Sequence, residues 1–342
     1  MDPPTHGLLG AVIGQAAFGR TLGPRALAAG AVAAMLPDLD ILAIPTSPMA
    51  EWLYHRGVTH GLATEAAAGA LLGFWAWRRD LHRAPDRTDT LAAWIGLLAT
   101  SLLSHSVLDA CTSYGTQLLA PFSDRRFAVD AIAIVDPFFS AALVLALAVA
   151  LFRGVASRAA GVAGAVALAF CAAYLALGLN LNREAEAQAR AELAAAGWPG
   201  AEVRAYPTFL QLPLRRLTAR QGEAWRVGWL SLWRPRPIEW QEFEEPRDPR
   251  VDEARRTPEG RILEWFAGGQ TAAALVATPS GLAVEIDDLR YGFPDRPRQG
   301  LWGVRVRFDE TGRAREPAER TRRGLPVPAS ALLLRIWRDA FS

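Results

Sequence analysis

The 342-residue chain has no lysine, two cysteines and three methionines, and all five of its histidines fall within the first 105 positions. All 37 basic residues are therefore Arg, a bias that accompanies the alanine-rich composition and from which no function follows. Cys111 and Cys171 lie in apolar stretches. Two thiols make neither a zinc ribbon nor a disulfide scaffold, so both read as reduced packing residues. The 35 acids nearly balance the bases, leaving a formal charge of +2 without a dense basic stripe. That excludes nucleic acid as the main ligand, because phosphate neutralisation needs clustered cations. With 51% apolar and 21% charged residues, disorder and a collagen-like chain are also excluded. The opening residues Met1, Asp2, Pro3 and Pro4 lack a basic n-region, so a cleaved signal peptide is not expected.

Two unlike halves are hidden in the mean hydropathy of +0.10. Residues 1–182 hold 11 of the 37 Arg and 12 of the 35 acids. Within them the uncharged run 159–179 matches a bilayer-spanning helix, and 91–108 and 138–152 read as further spans. Runs 7–19, 26–44 and 61–77 are shorter or carry acids, and bring the expected count to about six membrane segments. After Asn182, residues 183–196 read as an exit helix stopped by Gly197 and Pro199. Alternating runs at 225–233, 282–286 and 302–308, separated by turn signals such as 309–312, then predict strands. Eight of the twelve Trp lie in this half, and a closing helix is expected over 330–341. The expected fold is mainly α: a multi-helix integral membrane bundle over 1–182, then an exit helix and a small β-rich soluble domain over 183–342.

Cytoplasmic loops collect basic residues, so Arg positions suggest a topology. Arg20 and Arg25 flank the first connection, Arg78, Arg79, Arg83 and Arg87 crowd the third, and Arg153 and Arg158 mark the fifth. Alternate connections carry the charge. This puts the N-terminus, the second and fourth connections and everything after residue 182 on the outer face, with Arg56, Arg125 and Arg126 dissenting.

Acids and histidines inside apolar segments are expensive, and each is a candidate functional residue. Here they come in groups: THG at residues 5–7, PDLD at 37–40, HRGVTHG at 55–61, and HSVLDACTSYG at 105–115, followed by Asp136 before Pro137. His105 and Asp109, four apart, share one helical face. His55 and His60, five apart, would diverge by roughly 140° on an unbroken helix, but Gly57 allows a bend between them. Thr59 is a cap for the third segment and joins Asp40 and Arg56 among the candidate catalytic residues. Pro37 gives the backbone a reason to turn at Asp38 and Asp40. By the Arg-based topology all these groups share the outer side. Imidazoles with carboxylates form the mixed donor set that suits zinc, manganese or iron. The candidate ligands are His6, Asp38, Asp40, His55, His60, His105, Asp109 and Asp136, enough for two or three ions, which together can clamp a phosphate during in-line displacement.

Each residue also has a structural reading. His6 can be a solvated terminal residue, and His82, among arginines, a surface one. His105 and Asp109 can be an interhelical hydrogen-bonded pair. Asp136 before Pro137 fits a helix cap, and Arg56 fits a headgroup anchor as well as a phosphate ligand.

The order of motifs, THG followed by Leu9 and Gly10, then PDLD, HRGVTHG and HSVLDACTSYGT, resembles the YdjM-like family of membrane-associated metal-dependent hydrolases, also described as LexA-binding. The likeness covers about residues 1–180. That family is grouped by distant similarity with zinc-dependent phospholipase C and P1 nuclease, all-α enzymes whose His and Asp residues hold zinc ions. The resemblance implies phosphoester chemistry, with His6, Asp38, His55, His60, His105 and Asp109 as ligands. It makes Asp40 a ligand or the base that orients water, and gives Arg56 to substrate phosphate. Past residue 182 the VEIDDLRYGF stretch at 284–293 looks like a strand shared with longer relatives.

The expectation is thus a hydrolase of a bacterial-type inner membrane, acting on a phosphate-bearing amphiphilic substrate among membrane lipids. Its metal site and C-terminal domain face the extracytoplasmic side, where that domain is a candidate contact for an envelope protein. The alternatives are a regulatory or binding protein without turnover and a transporter of protons or metal ions. Topology has a direct test. Alkaline phosphatase fused after residue 190 is expected to be active and a fluorescent protein dark, and the reverse pattern inverts the assignment.

Overall fold

The computed structural model describes residues 1–82, 85–234, 236–279, 281–324 and 328–341; Arg83 of the basic cluster lies outside the described residues. The chain divides into two units, Met1–Ile44 with Tyr54–Leu179, and Pro45–Leu53 with Asn180–Ser342.

The first unit is helical, and its helices are cut short by identifiable residues. Helix α1 (Pro3–Ile13) starts on an Asp2 cap and passes through a π-helical turn at Gly14–Phe18 into the one-turn α2 (Gly19–Leu22). Gly23, at φ 64°, reverses the chain, and Pro24 opens α3 (Pro24–Met35). Pro37 has no amide hydrogen to extend the helix, and with Leu36 still in the right-handed helical region the chain tightens into a 3-10 turn, Pro37–Leu42, bearing Asp38 and Asp40. A second 3-10 turn, Val58–His60, precedes α5 (Leu62–Leu81). After it come α6 (Leu91–Ala110), α7 (Pro137–Arg153), capped by Asp136, and α8 (Arg158–Ala195).

Small residues set the packing. A Cβ on Gly10 would lie 2.1 Å from the Gly30 carbonyl oxygen, so the backbones of α1 and α3 touch. Such close approach is how helices associate where apolar burial gives little drive. Leu97 and Leu102 of α6 and Ala26 and Ala33 of α3 complete a shared core.

The expected bundle of about six spans does not form. Among the described residues, two helical stretches are long and apolar enough to cross a membrane, Thr88–Ala110 and Arg158–Ala195. The run expected at 7–19 is interrupted after the 11 residues of α1, and that at 26–44 after the 12 of α3. At 1.5 Å per residue the 12 residues of α3 reach only about 18 Å of a roughly 30 Å hydrocarbon layer, and α1 goes on as an irregular π-helical turn and not as a regular α-helix. Helix α5 has the length but carries Glu65, Arg78, Arg79 and Asp80, and the apolar α7 stops at 17 residues. On α8, Val162, Val166 and Leu177 stand about half exposed, an apolar surface suited to lipid.

The second unit is built on two antiparallel sheets. The first has the order β1 (Glu202–Pro207), β2 (Leu214–Gln221), β3 (Ala224–Ser231), β4 (Gln241–Glu244). Helices α9 (Pro249–Arg256) and α10 (Pro258–Ala267) lead to the second. Its order is β10 (Ala314–Arg322), β9 (Trp302–Phe308), β6 (Gly281–Asp288), β5 (Thr271–Thr278), with a small hairpin of β7 (Gly292–Phe293) and β8 (Arg296–Gly300). The alternation expected of strands is present: Trp225 and Val227 of β3 both point into the core with Phe243 and Ala272. The tail of α8 packs Ala185, Ala189 and Leu193 onto β1 and β2. The closing helix is α11 (Ala329–Phe341).

Residues Pro45–Leu53 belong to this second unit although they interrupt the first in sequence. They include most of the short helix α4 (Ala50–Tyr54). Trp52 is fully buried and stacks on Phe266 with ring centroids 5.3 Å apart, and Arg320 bonds Glu51 at 2.7 Å.

Gly10→Ala tests the α1–α3 contact. The added methyl meets backbone that has no rotamer to yield, so a loss of about 1–3 kcal/mol is expected, read as a lower thermal midpoint in detergent. An unchanged midpoint would mean that the helices are not in backbone contact.

Candidate metal centre

The short turns that end the helices also aim their polar residues inward. Asp38 from the Pro37–Leu42 turn, His60 from the Val58–His60 turn, and His105 and Asp109 from the last two turns of α6 meet in one group. Their donor atoms all lie within 4.8 Å of one another, and His60, His105 and Asp109 are fully buried. The His105 Nε2 to His60 Nε2 distance is 3.0 Å. Asp38 Oδ1 and Asp109 Oδ2 each lie 3.4 Å from His105 Nε2 and 3.6 Å from His60 Nε2. Four donors at about 2.0–2.1 Å from a tetrahedral ion stand about 3.3–3.4 Å apart, so the spacing fits.

Hydrogen bonds behind the rings assign their tautomers. His105 Nδ1–H donates to the Ala34 carbonyl at 2.6 Å. His60 Nδ1–H donates to Thr59 Oγ1 at 3.0 Å, whose hydroxyl in turn donates to Asp40 Oδ2 at 3.0 Å. In the neutral form of the rings each then presents an unprotonated Nε2 to the other. Two lone pairs 3.0 Å apart repel unless a cation lies between them, and backbone or carboxylate partners on the far nitrogen are what hold metal-binding imidazoles.

Asp109 is the most enclosed of the set. Oδ1 accepts from His6 Nε2 at 3.1 Å and from the Met1 ammonium. Arg56 Nε is 2.9 Å from Oδ2, yet its N–H is not aimed there, and the buried Oδ2 accepts no hydrogen bond. An orphaned carboxylate oxygen facing two imidazole lone pairs fits a divalent cation. Burial opposes the ionised form of Asp40, but the hydrogen bond from His55 outweighs it and holds the carboxyl below its usual range.

The other expected site residues fall in distinct places. His6 stacks on His105 with centroids 3.7 Å apart, and its buried Nδ1 has no hydrogen-bond partner among the described residues. Asp40 stands on the Nδ1 side of His60 and also accepts from His55 Nδ1 at 2.9 Å. Arg56, at φ 61°, is buried, lies over the Tyr114 ring and donates to Thr112 Oγ1 at 3.1 Å. Asp136 stands outside the four-residue group: it caps α7, accepting from the Phe138 and Phe139 amides, and accepts from the Tyr174 hydroxyl at 2.9 Å. Residues not expected at the site also contribute. Thr112 and Tyr114 hold Arg56, and they lie within the HSVLDACTSYG motif that pointed there. Glu65, buried and accepting from Ser106 Oγ at 2.7 Å, carried no such signal, since an acid in the first turn of a helix is ordinary.

These features define a protein whose helical first unit carries a buried His and Asp group that could hold a metal ion. Residues 1–185 match the family described as YdjM inner membrane protein, and the chain belongs to it. It is also similar to the inner membrane protein YbcI of Escherichia coli K12, with 35% identity over 126 residues, covering 36% of this chain and 69% of that protein. No solved structure matches the chain. The family match takes in every residue of the four-residue group and ends before the first strand of the second unit.

Metal analysis of purified variants separates ligands from supports. His105→Ala and His60→Ala are expected to lose bound metal, and Thr59→Ala to weaken it about 10–100-fold through the freed ring. Asp136→Ala is expected to keep its metal and lose about 0.5–2 kcal/mol of stability as a cap. Metal loss in Asp136→Ala equal to that in His105→Ala would place Asp136 in the ligand set.

Proposed function

We propose that the chain is a metal-dependent hydrolase that cleaves a phosphoester bond in a lipid or lipid-linked substrate. The observation that carries the reading is the pair of opposed Nε2 atoms, 3.0 Å apart and closed by the carboxylates of Asp38 and Asp109. A divalent cation in that set, zinc by its donors or else manganese or iron, supplies Lewis acidity toward a phosphoryl oxygen. His6 Nδ1 offers a further donor beside the group for a second ion.

The chain's own residues supply the rest. His55 and Asp38 retain 16% and 15% side-chain exposure while the other ligands are enclosed, so substrate approaches past them. Asp40 Oδ1 accepts from His55 Nδ1, which leaves His55 Nε2 as the base that takes a proton from the attacking water. The other Asp40 oxygen fixes Thr59 and, through it, His60. Arg56 compensates Asp109 and keeps the buried carboxylate ionised. A membrane-held chain meets amphiphilic substrates at its own surface, which favours a lipid phosphate over a soluble one.

In mixed micelles the purified protein is expected to release inorganic phosphate or a phosphorylated headgroup, to lose that activity to a chelator and to regain it with zinc or manganese. Asp40→Asn is expected to lower kcat by about 10²-fold or more with a smaller change in KM. Cleavage of carboxyl esters without cleavage at phosphorus overturns the phosphoester reading. Bound metal with no turnover on a lipid panel overturns hydrolysis itself in favour of a binding protein.

A further inference from the structure

The second unit carries apolar groups that its own cores leave out. Helix α11 is apolar on two faces. Leu332, Ile336 and Ala340 are buried with Leu214 and Phe293, whereas Leu334 is 72% and Trp337 39% exposed. Leu334, Trp337 and Phe341 fall on one stripe of the helix by their spacing. Trp233, 68% exposed, meets this stripe edge-on at Phe341, 6.2 Å between centroids, and Phe341 lies 5.0 Å from Trp337. Beside it a cleft of about 320 Å³ is walled by Arg234, Arg236, Arg335 and Arg338 against the acids Glu239 and Asp339. Asp295 also pairs with Arg335, so four guanidinium groups stand among three carboxylates and this edge keeps a net positive charge.

Strand register locates the patch within the unit. Along the tail of α8, Asn182, Glu186 and Arg190 bond in turn to Arg215, Ala205 and Val203, so β1 runs back toward Asn182. The ladder puts Pro207 opposite Arg215 and Leu214 opposite Ser231. Ser231 Oγ donates to the Ala340 carbonyl at 2.6 Å. Trp233 and the last turn of α11 therefore stand at the end of the unit from which the apolar part of α8 departs.

The geometry points to a membrane-surface foot: Trp233, Leu334 and Trp337 enter the interface of the bilayer that α8 occupies, and the flanking arginines engage its anionic phospholipid headgroups. Tryptophan and leucine on one side with arginines beside them are the composition of an interfacial helix. Arginine stems let the charge rise to the phosphates while apolar neighbours stay below. The covalent tether through α8 keeps the surface in reach, so a patch too small to bind vesicles alone is held by effective concentration.

The test uses the full chain in nanodiscs carrying a phospholipid with a photoactivatable diazirine near its headgroup, with labelled peptides mapped by mass spectrometry. The apolar part of α8 labels as the internal standard. Labelling of Trp233 and of residues 330–341 is expected in discs containing phosphatidylglycerol. It should fall about threefold or more in phosphatidylcholine alone and in the Arg234→Gln, Arg338→Gln double variant, while the exposed Leu282 stays unlabelled. Absence of label from residues 330–341 while α8 is labelled overturns the proposal, as does their cross-linking to a second copy. Equal labelling with and without phosphatidylglycerol overturns the role given to the arginines.

Discussion

A carboxylate with no access to water governs the first unit. Asp109 sits in the last turn of α6 at 0% exposure, where an uncompensated charge would cost several kcal/mol. Its neighbours answer that charge: the Met1 ammonium, the His6 ring and the Arg56 guanidinium. Satisfying it draws α1, the Val58–His60 turn and α6 to one point. Arg56 accepts a left-handed backbone to do so, a strain of the order of 1–3 kcal/mol that is tolerated where surrounding contacts over-determine it.

The same demand explains why the helices are short. Turns between them, rather than long uninterrupted cylinders, are what deliver Asp38, His55 and His60 to the end of α6. A Pro37 turn or the HRGVTHG bend shortens an apolar run, but it also redirects a side chain through an angle that a continuous helix would not permit. Contacts as close as Gly10 to Gly30 then hold the truncated pieces together.

Chemistry was more legible in the sequence than architecture. Motifs dense in His and Asp announced the donor group because such residues are costly in apolar surroundings, whatever the fold. Counting spans failed because apolarity alone does not distinguish a crossing from a buried helix: α1 and α3 are apolar through packing on each other. The alternation of Arg presupposed that each run was a crossing. Two of its dissenting residues prove to be tied to the protein, Arg56 buried on Asp109 and the half-buried Arg126 on the Tyr114 and Gly115 carbonyls. Spacing did not reveal that Asp40 stands behind His60, since it reaches that place through Thr59. In the second half, alternation over 225–233 and 302–308 foretold strands, but long-range pairing such as β6 with β9 has no local signature.

The placement of Pro45–Leu53 has a thermodynamic consequence. The two segments bearing Asp38 and His60 are the two ends of one loop, and the middle of that loop, with Trp52 against Phe266, folds as part of the other unit. Loop closure is entropically costly, and here the same stretch of chain is closed twice, once by the site and once by the buried tryptophan. Each closure lowers the entropy the other must overcome. A stretch pinned by Trp52 thus leaves the flanking turns that bear Asp38 and His60 fewer conformations to lose.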